Sequence, residues 1–273
     1  MPYTLPFTWG ARTYVMGIVN VTPDSFSGDG LAGDVSAAVA QARAFVEAGA
    51  DLLDVGGEST RPGHEPVDEA TELARVVPAV RAIAAAVSVP ISVDTSKAAV
   101  AAAALEAGAR VVNDVWALAA DPHMASVVAR AGVPVVLMHN QEGTHYRDLV
   151  PDVIAALATR VRFAEQAGIP RAQIIVDPGI GFGKTAEHNL EVIDRLDELK
   201  VLGLPILLGP SRKRFIGRIL GEAPPEQRLE GTAAVVAIGI ARGADIVRVH
   251  DVEAMVKVAR LADAITRRRP ARR

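Results

Sequence analysis

The chain has 273 residues, is 50% hydrophobic and carries a formal net charge of −3. Because an α/β barrel commonly occupies a chain of this length, we expect a single domain over residues 1–273. The charge does not suggest a nucleic-acid-binding protein, and no apolar run reaches the roughly 18 residues of a membrane span. The absence of cysteine excludes disulfides and thiolate chemistry, and it is compatible with the cytoplasmic location that we expect. The N-terminal residues lack the pattern of a secretory signal, so we expect none.

Apolar runs alternate along the chain with stretches that favour helix. The predicted strands lie near 13–20, 51–56, 90–94, 110–114, 134–138, 173–177, 205–209 and 245–249. The predicted helices lie near 34–48, 67–87, 97–107, 121–131, 151–167, 187–200, 228–242 and 251–267. Glycine follows several of these helices and provides a left-handed C-cap, at Gly49, Gly108, Gly132, Gly168 and Gly243.

This alternation of strand and helix predicts a (β/α)8 TIM barrel. An open doubly wound sheet is the alternative, weakened because no Gly-x-Gly-x-x-Gly motif opens the first helix. Two long connections, 21–33 and 57–66, follow strand ends and are rich in Pro, Gly, Ser and Asp. We expect both to lie over the barrel mouth as active-site loops. The basic tail, 267–273, lies outside the periodic pattern, and we expect it to be frayed.

Polar side chains follow several predicted strands at the point where each strand ends. Asp94, Asn113 and Asp177 each end a run of branched apolar residues. Arg248 and His250 alternate along the last strand and therefore face the same way. Because ligands bind at the carboxyl ends of barrel strands, this pattern predicts an enzyme pocket.

The segment DPGIGFGKT, residues 177–185, is the most informative glycine-rich turn. A phosphate-binding P-loop would need glycine five positions before Gly183, where this chain has Pro178. The other alternative is a turn with a purely structural role. Asp177 argues against it, because a carboxylate at the end of a buried strand is costly to bury unpaired.

Several ordered motifs at these strand ends resemble those of dihydropteroate synthases. They are GIVNVTPDSFS at 17–27, GGESTRPG at 56–63, SVDT at 92–95, VNDV at 112–115, MH at 138–139, DPGIGFGK at 177–184, SRK at 211–213 and RVHD at 248–251. The resemblance covers nearly the whole chain and implies a TIM barrel with a folate-biosynthesis activity. In that reaction 6-hydroxymethyl-7,8-dihydropterin pyrophosphate and p-aminobenzoate give 7,8-dihydropteroate and pyrophosphate. It also implies Mg2+ as cofactor and a homodimer.

The resemblance places Asp94, Asn113, Asp177 and Lys213 around the pterin ring, with Asp94, Asp177 and Lys213 in catalytic roles. A carboxylate such as Asp177 can accept charge-assisted hydrogen bonds from the 2-amino edge. Asn113 can both donate and accept. In the implied SN1-like displacement, Asp94 and Asp177 stabilise the methylene cation left when pyrophosphate departs.

Other residues take the remaining roles that the resemblance implies. The apolar walls of the pterin site are Val115, Met138 and Phe182, for which ordinary core packing is the alternative. The pyrophosphate is held by Asn20, Arg248 and His250, with Mg2+ at Asn20; a surface or salt-bridge role is the alternative for the Arg-x-His pair. The p-aminobenzoate pocket takes Phe26, Thr60, Arg61 and Pro62. Arg214 stands where many relatives have serine, and it could pair with the p-aminobenzoate carboxylate or point to solvent. Ser211 is a further substrate-binding residue, with a helix N-cap as its alternative role.

Two other functions remain open on the sequence. A pterin-binding methyltransferase domain would share the barrel and the Asp/Asn pocket, but it would not need the long loops or an Arg-x-His anion site. A non-catalytic paralogue would bind pterin without turnover, although the intact loop motifs do not favour it.

Overall fold

A computed structural model describes residues 2–22, 31–58 and 67–267. Within these ranges eight strands form one parallel sheet in the order β6-β5-β4-β3-β2-β1-β8-β7. The strands are β1 (Tyr14–Asn20), β2 (Leu52–Gly56), β3 (Ile91–Asp94), β4 (Val111–Asp114), β5 (Val135–Met138), β6 (Ile174–Asp177), β7 (Leu207–Leu208) and β8 (Ile246–Val249). A parallel bridge between Val176 and Ile206 joins β6 to the segment leading into β7. The strands therefore form the predicted (β/α)8 barrel.

The helices surround this barrel and follow the strands in sequence. They are α1 (Leu31–Ala48), α2 (Glu69–Ala86), α3 (Ala98–Ala107), α4 (Met124–Ala131), α5 (Leu149–Gln166), α6 (Ala186–Asp194), α7 (Arg214–Ile219), α8 (Leu229–Ala241) and α9 (Val252–Thr266). Within the described ranges, no helix has the length and apolar character needed to cross a bilayer.

Two helical segments differ from the prediction. The helix predicted over 187–200 ends at Asp194 and continues as a 3-10 helix over Leu196–Leu202. A helix was expected after Ser211, but the bounds of the short helix α7 were not predicted, because its six residues hold too few turns for a periodic pattern to define them. The glycine caps were predicted correctly, since all five have positive φ, between +63° and +126°.

The strands alternate their side chains between two apolar cores. Outward-facing residues such as Leu53 and Val93 pack against the helices. Inward-facing residues, among them Met16, Leu52 and Ile175, fill the barrel in a separate cluster. Two positions beyond Leu52 on the same face of β2 lies Asp54, which is therefore directed into the barrel interior.

The end of α9 includes Arg267, the first residue of the tail predicted to be frayed. Its guanidinium Nη2 donates to the carbonyl of Ala244 at 2.5 Å, and its side chain is 13% exposed. A contact with the neighbouring connection thus holds this residue against the barrel, contrary to the prediction. Residues 268–273 lie outside the described residues, and the assignment of the whole chain to one domain stays a prediction.

Candidate active site

A cavity of about 570 Å³ opens at the carboxyl ends of the strands. Asn20 and Asp94 reach it from the ends of β1 and β3, and Arg248 and His250 reach it from β8 and the residue following it. Lys213, on the connection after β7, completes this polar side. The cavity therefore lies at the end of the barrel where the sequence predicted a pocket.

Arg248 joins two carboxylates from neighbouring strands. Its Nε donates to Asp54 Oδ2 at 2.6 Å, and its Nη2 donates to Asp94 Oδ2 at 2.7 Å. Asp54 Oδ2 also accepts a hydrogen bond of 3.0 Å from Asn113 Nδ2. Burial raises the pKa of Asp94 to about 7, although the charge of Arg248 opposes this shift. Asp94 Oδ1 is buried and makes no hydrogen bond with the described residues, so its acceptor capacity is unused.

Asp177 ends β6 with one oxygen engaged by the backbone. Its Oδ1 accepts from Gly179 N at 2.7 Å. Burial raises its pKa to about 6, while the Gly179 bond and the nearby charges of Lys213 and Arg248 lower it. The Oδ2 atom faces Gly209, where an added Cβ would lie 4.0 Å away. The Oδ2 side of this carboxylate therefore lies near Gly209, which lines the cavity.

Three apolar side chains form a small cluster of their own, separate from both cores. Val115, Met138 and Phe182 are each less than a tenth exposed and pack together. Lys213 Nζ lies 4.1 Å from the centroid of the Phe182 ring. An apolar wall thus meets a cation beside the buried carboxylates.

The glycine-rich turn after β6 is fixed by close contacts. An added Cβ at Gly179, whose φ is +72°, would lie 1.9 Å from the carbonyl oxygen of His139, so this position requires glycine. The half-buried Lys184 has its Nζ 3.0 Å from His139 Nδ1 and donates to the carbonyls of Gly179 and Phe182, both at 3.1 Å. Burial lowers the pKa of Lys184 to about 7, and burial with the Lys184 charge lowers that of His139 to about 3. Lys184 therefore stabilises the turn, which differs from a P-loop as predicted.

The segment 141–148, for which the sequence suggested no role, packs on the same turn. Tyr146 Oη donates to the carbonyl of Gly183 at 2.7 Å. A Cβ at Gly183 would lie 2.7 Å from the carbonyl oxygen of Gln141. The segment thus supports the glycine turn from outside.

Ser211 does not have the N-cap role offered as its alternative. Its Oγ accepts from His250 N at 3.1 Å and lies 2.9 Å from His250 Nδ1. The N-cap position of α7 is Lys213, which makes no side-chain capping bond. The next residue, Arg214, is exposed and lines the cavity.

Comparison with known proteins assigns the chain to a family. A family model described as pterin binding enzyme matches residues 16–250. The chain belongs to this family. A dihydropteroate synthase from Bacillus subtilis is 50% identical over 254 residues, which cover 93% of this chain and 89% of that protein.

Two solved structures show the same similarity in three dimensions. A Clostridium difficile dihydropteroate synthase, determined in the presence of pteroic acid, has 49% identity and a TM-score of 0.93, over 96% of this chain and all of that one. A Xanthomonas albilineans dihydropteroate synthase with 4-aminobenzoic acid has 47% identity and a TM-score of 0.90, over 94% of each chain. The chain is thus a pterin binding enzyme of the dihydropteroate synthase type, a transferase.

The structure brings most of the predicted site residues of this pterin binding enzyme together. The cavity is lined by Asn20, Asp94, Ser211, Lys213, Arg214, Arg248 and His250. The remaining described ones adjoin it: Asn113 through Asp54, Asp177 beside Gly209, and the cluster of Val115, Met138 and Phe182 beneath Lys213. Phe26, Thr60, Arg61 and Pro62 lie outside the described residues.

Asp54 is the residue that the sequence analysis missed. The signal was a single aspartate inside the apolar strand LLDVG, two positions from Leu52 on the inward face. A carboxylate in that place requires a buried partner, and this could have pointed to Arg248.

Proposed function

We propose that the protein condenses 6-hydroxymethyl-7,8-dihydropterin pyrophosphate with p-aminobenzoate, in keeping with its family. The bond between the pterin methylene carbon and the pyrophosphate oxygen breaks, and a bond to the amine nitrogen forms. The amine loses one proton, and pyrophosphate leaves. The observation that carries this proposal is the pair of buried strand-end carboxylates, Asp94 and Asp177, beside an apolar wall and the guanidinium of Arg248.

The pterin ring would lie against the cluster of Val115, Met138 and Phe182. Asp94 and Asp177 would accept hydrogen bonds from its N–H donors, because Asp94 lines the cavity with Oδ1 unpartnered and Asp177 Oδ2 lies near the cavity-lining Gly209. When the methylene carbon becomes electron-poor, these two carboxylates would stabilise the developing positive charge. Lys213 would donate to a ring oxygen or nitrogen.

The departing pyrophosphate would be held by Asn20, Arg248 and His250. Arg248 shares its charge with Asp54 and Asp94, both at salt-bridge distance. When both carboxylates are ionised, this group of three side chains carries a net negative charge. Binding a highly charged anion beside it therefore requires further positive charge.

Mg2+ is part of this proposal, and the donor set fits it. Among the described residues no three His, Asp or Glu side chains converge on a metal position. That is compatible with Mg2+, which often takes only one or two protein oxygens and completes its shell with phosphates and water. The Asn20 amide oxygen, which borders the cavity, would hold the ion. When bound, Mg2+ would supply positive charge to the phosphate oxygens.

The p-aminobenzoate pocket would combine Ser211 and Arg214 with four residues outside the described ones, Phe26, Thr60, Arg61 and Pro62. Arg214 is exposed at the cavity and stands at the start of α7. A guanidinium suits the carboxylate of p-aminobenzoate because the two can pair through two parallel hydrogen bonds.

A homodimer and a cytoplasmic location are also proposed. Exposed apolar side chains on helices of the second half of the barrel support the dimer: Ile219 of α7, Ile238 of α8, and Leu261 and Ile265 of α9. Light scattering of the purified protein would test the dimer. The cytoplasmic location rests on the sequence alone.

The test of the function is a steady-state assay of pyrophosphate release with both substrates. We expect release only when both are present, together with stoichiometric dihydropteroate. Pterin binding without any release would identify a non-catalytic paralogue. Transfer of a methyl group from a reduced pterin, without pyrophosphate release, would identify the methyltransferase alternative.

A further inference from the structure

We propose that Asp54 is a positioning residue that couples the pterin ring site to the pyrophosphate site. The inference rests on the proposed function, since it takes Asn113 as a ring ligand and Arg248 as a pyrophosphate ligand. Asp54 itself is fully buried and would touch neither substrate. It would act through the two side chains that it holds.

A single oxygen atom of Asp54 makes both contacts. Its Oδ2 accepts from Arg248 Nε at 2.6 Å and from Asn113 Nδ2 at 3.0 Å. Asp54 lies on β2, with β3 between it and the strand of Asn113 and β1 between it and the strand of Arg248. The strands of Asn113 and Arg248 are therefore four places apart in the sheet. Their side chains are linked across the barrel interior through this oxygen.

Each contact fixes a functional orientation. Because Asn113 donates from Nδ2 to Asp54, its Oδ1 is the atom left to act as an acceptor elsewhere. Arg248 uses Nε for Asp54 and Nη2 for Asp94, and the planarity of the guanidinium then fixes the direction of Nη1. A purely structural salt bridge would need only the Arg248 contact. Asp54 Oδ2 already accepts from the Arg248 cation, and it also accepts from the neutral amide of Asn113. This second hydrogen bond indicates a positioning role.

Coupling follows from this shared atom. If pyrophosphate draws Arg248 toward the cavity, Asp54 Oδ2 is left to Asn113 alone and holds it more firmly in the orientation that suits the ring. A ligand at one site thus strengthens binding at the other, and the effect is reciprocal.

The experiment uses two probes and the whole enzyme. They are 6-hydroxymethylpterin, which carries the ring without phosphates, and inorganic pyrophosphate with Mg2+. Calorimetry gives the Kd of each probe alone and in the presence of the other. We expect Asp54→Ala to weaken the ring probe about tenfold, the scale of a lost charge-assisted hydrogen bond, and to abolish the mutual enhancement of the two probes.

Ser92→Ala is the matched control. Ser92 pairs with Asp54 in the register of β2 and β3, is fully buried, and its Oγ makes no hydrogen bond with the described residues. It should change neither Kd. If Ser92→Ala weakens the ring probe and removes the enhancement as much as Asp54→Ala does, general disturbance of the barrel explains the loss and the proposal fails.

Double variants separate positioning from the proposed ligand roles. In an Asn113→Ala background, Asp54→Ala should no longer change the Kd of the ring probe. In an Arg248→Met background, it should no longer change that of pyrophosphate. Undiminished effects in both backgrounds would overturn the proposal. If Asn113→Ala and Arg248→Met alone leave both Kd values unchanged, the assigned roles in the proposed function fail instead.

If Asp54→Ala does not fold, Asp54→Asn decides the question. This substitution keeps the volume and one acceptor oxygen but removes the charge. We expect a folded protein with reduced enhancement between the probes. Unchanged Kd values and unchanged enhancement in Asp54→Asn would refute the coupling role.

Discussion

The Lys213 ammonium lies over the Phe182 ring, with Nζ 4.1 Å from the ring centroid. The two residues come from different connections, since Lys213 precedes α7 and Phe182 belongs to the glycine-rich turn after β6. A cation over an aromatic face is attracted by the ring quadrupole. The contact thus joins the proposed ring donor to the apolar wall of the pterin site, and each side chain restricts the other.

Replacing Phe182 by leucine should weaken pterin binding. The substitution keeps an apolar side chain but removes the aromatic face, a contact worth about 0.5–2 kcal/mol. We expect the Kd of 6-hydroxymethylpterin, measured by calorimetry, to rise by about twofold to thirtyfold on this basis. The matched control is Phe163→Leu, because Arg160 lies over the Phe163 ring at 4.6 Å, away from the cavity lining. Equal Kd values for wild type and Phe182→Leu would contradict the role of this wall.

Replacing Asp177 by asparagine should reduce both pterin affinity and turnover. The amide keeps the size, and its oxygen can still accept from Gly179 N, but the charge that favours the ring donors and the methylene cation is lost. A charge-assisted hydrogen bond contributes about 1.5–3 kcal/mol, so we expect at least about a tenfold loss. Asp121→Asn is the control, since Asp121 also accepts from backbone N–H groups, those of Ala98 and His123. Unchanged kinetics in folded Asp177→Asn would rule out this assignment.

The barrel could be predicted from sequence because local signals repeat in every unit. Branched apolar runs marked the strands, and glycines such as Gly108 and Gly243 marked the helix ends, where the backbone is left-handed. The bounds of the short helix α7 could not be predicted, because a single turn and a half has no periodicity to detect. The contact of Ser211 could not be predicted for another reason. A serine before a helix is an N-cap candidate by local rules, whereas the actual partner of Ser211, His250, is distant in sequence.

The site could be predicted only in part, because its network depends on side chains from distant strands. Asp94 and Asp177 were found because they end their strands. Asp54 lies in mid-strand, and its partner Arg248 is 194 residues away. Nothing local distinguishes such an aspartate from one paired at a surface. The sequence therefore placed Arg248 at the anion site without showing that two carboxylates share its charge.

The raised pKa of Asp177 should make the stability of the empty enzyme depend on pH. The pKa is about 6 in the folded state, against an ordinary 3.8, because burial favours the neutral acid. Its contribution to stability is therefore fully present below about pH 3.8 and is lost as the pH rises through about 6. The free energy of unfolding, measured with urea, should therefore fall in the wild type but not in Asp177→Asn. The difference between the variant and the wild type should increase by on the order of 1–3 kcal/mol between pH 4.5 and pH 8.

Pterin binding should show the opposite trend with pH. The ionised carboxylates of Asp177 and Asp94 accept from the ring, so the affinity of the wild type should rise with pH through about 6 for Asp177 and about 7 for Asp94. Asp177→Asn should keep only the part of the rise that is due to Asp94. Parallel pH profiles of affinity for the two proteins would show that this carboxyl does not titrate at the binding site.

Arg214 should contribute to the affinity for p-aminobenzoate. Arg214→Glu places a negative charge at the cavity and should raise KM for p-aminobenzoate several-fold, more than it raises KM for the pterin pyrophosphate. Arg218→Glu is the matched control, because it makes the same charge change one turn later on α7 and also lines the cavity. A larger effect at Arg214 indicates direct contact. Equal effects of the two substitutions on KM would mean that Arg214 acts only through the overall positive charge of α7.

p-Aminobenzoate should bind the empty enzyme very weakly. Of the residues assigned to its pocket, Ser211 already contacts His250, which leaves the exposed Arg214 as the described ligand for the carboxylate. An exposed ion pair contributes only about 0–1 kcal/mol, far less than micromolar affinity requires.

With the pterin site filled, the bound ring and pyrophosphate should supply the missing contacts. We therefore expect no calorimetric binding of p-aminobenzoate to the empty enzyme below about 1 mM, a limit near 4 kcal/mol of binding free energy. Binding should appear once 6-hydroxymethylpterin, pyrophosphate and Mg2+ are present. Arg214→Glu in the presence of these three should weaken it again, and Arg218→Glu should do so less. Micromolar binding of p-aminobenzoate to the empty enzyme would mean that its pocket is complete before the pterin arrives, and the proposed order of binding would be wrong.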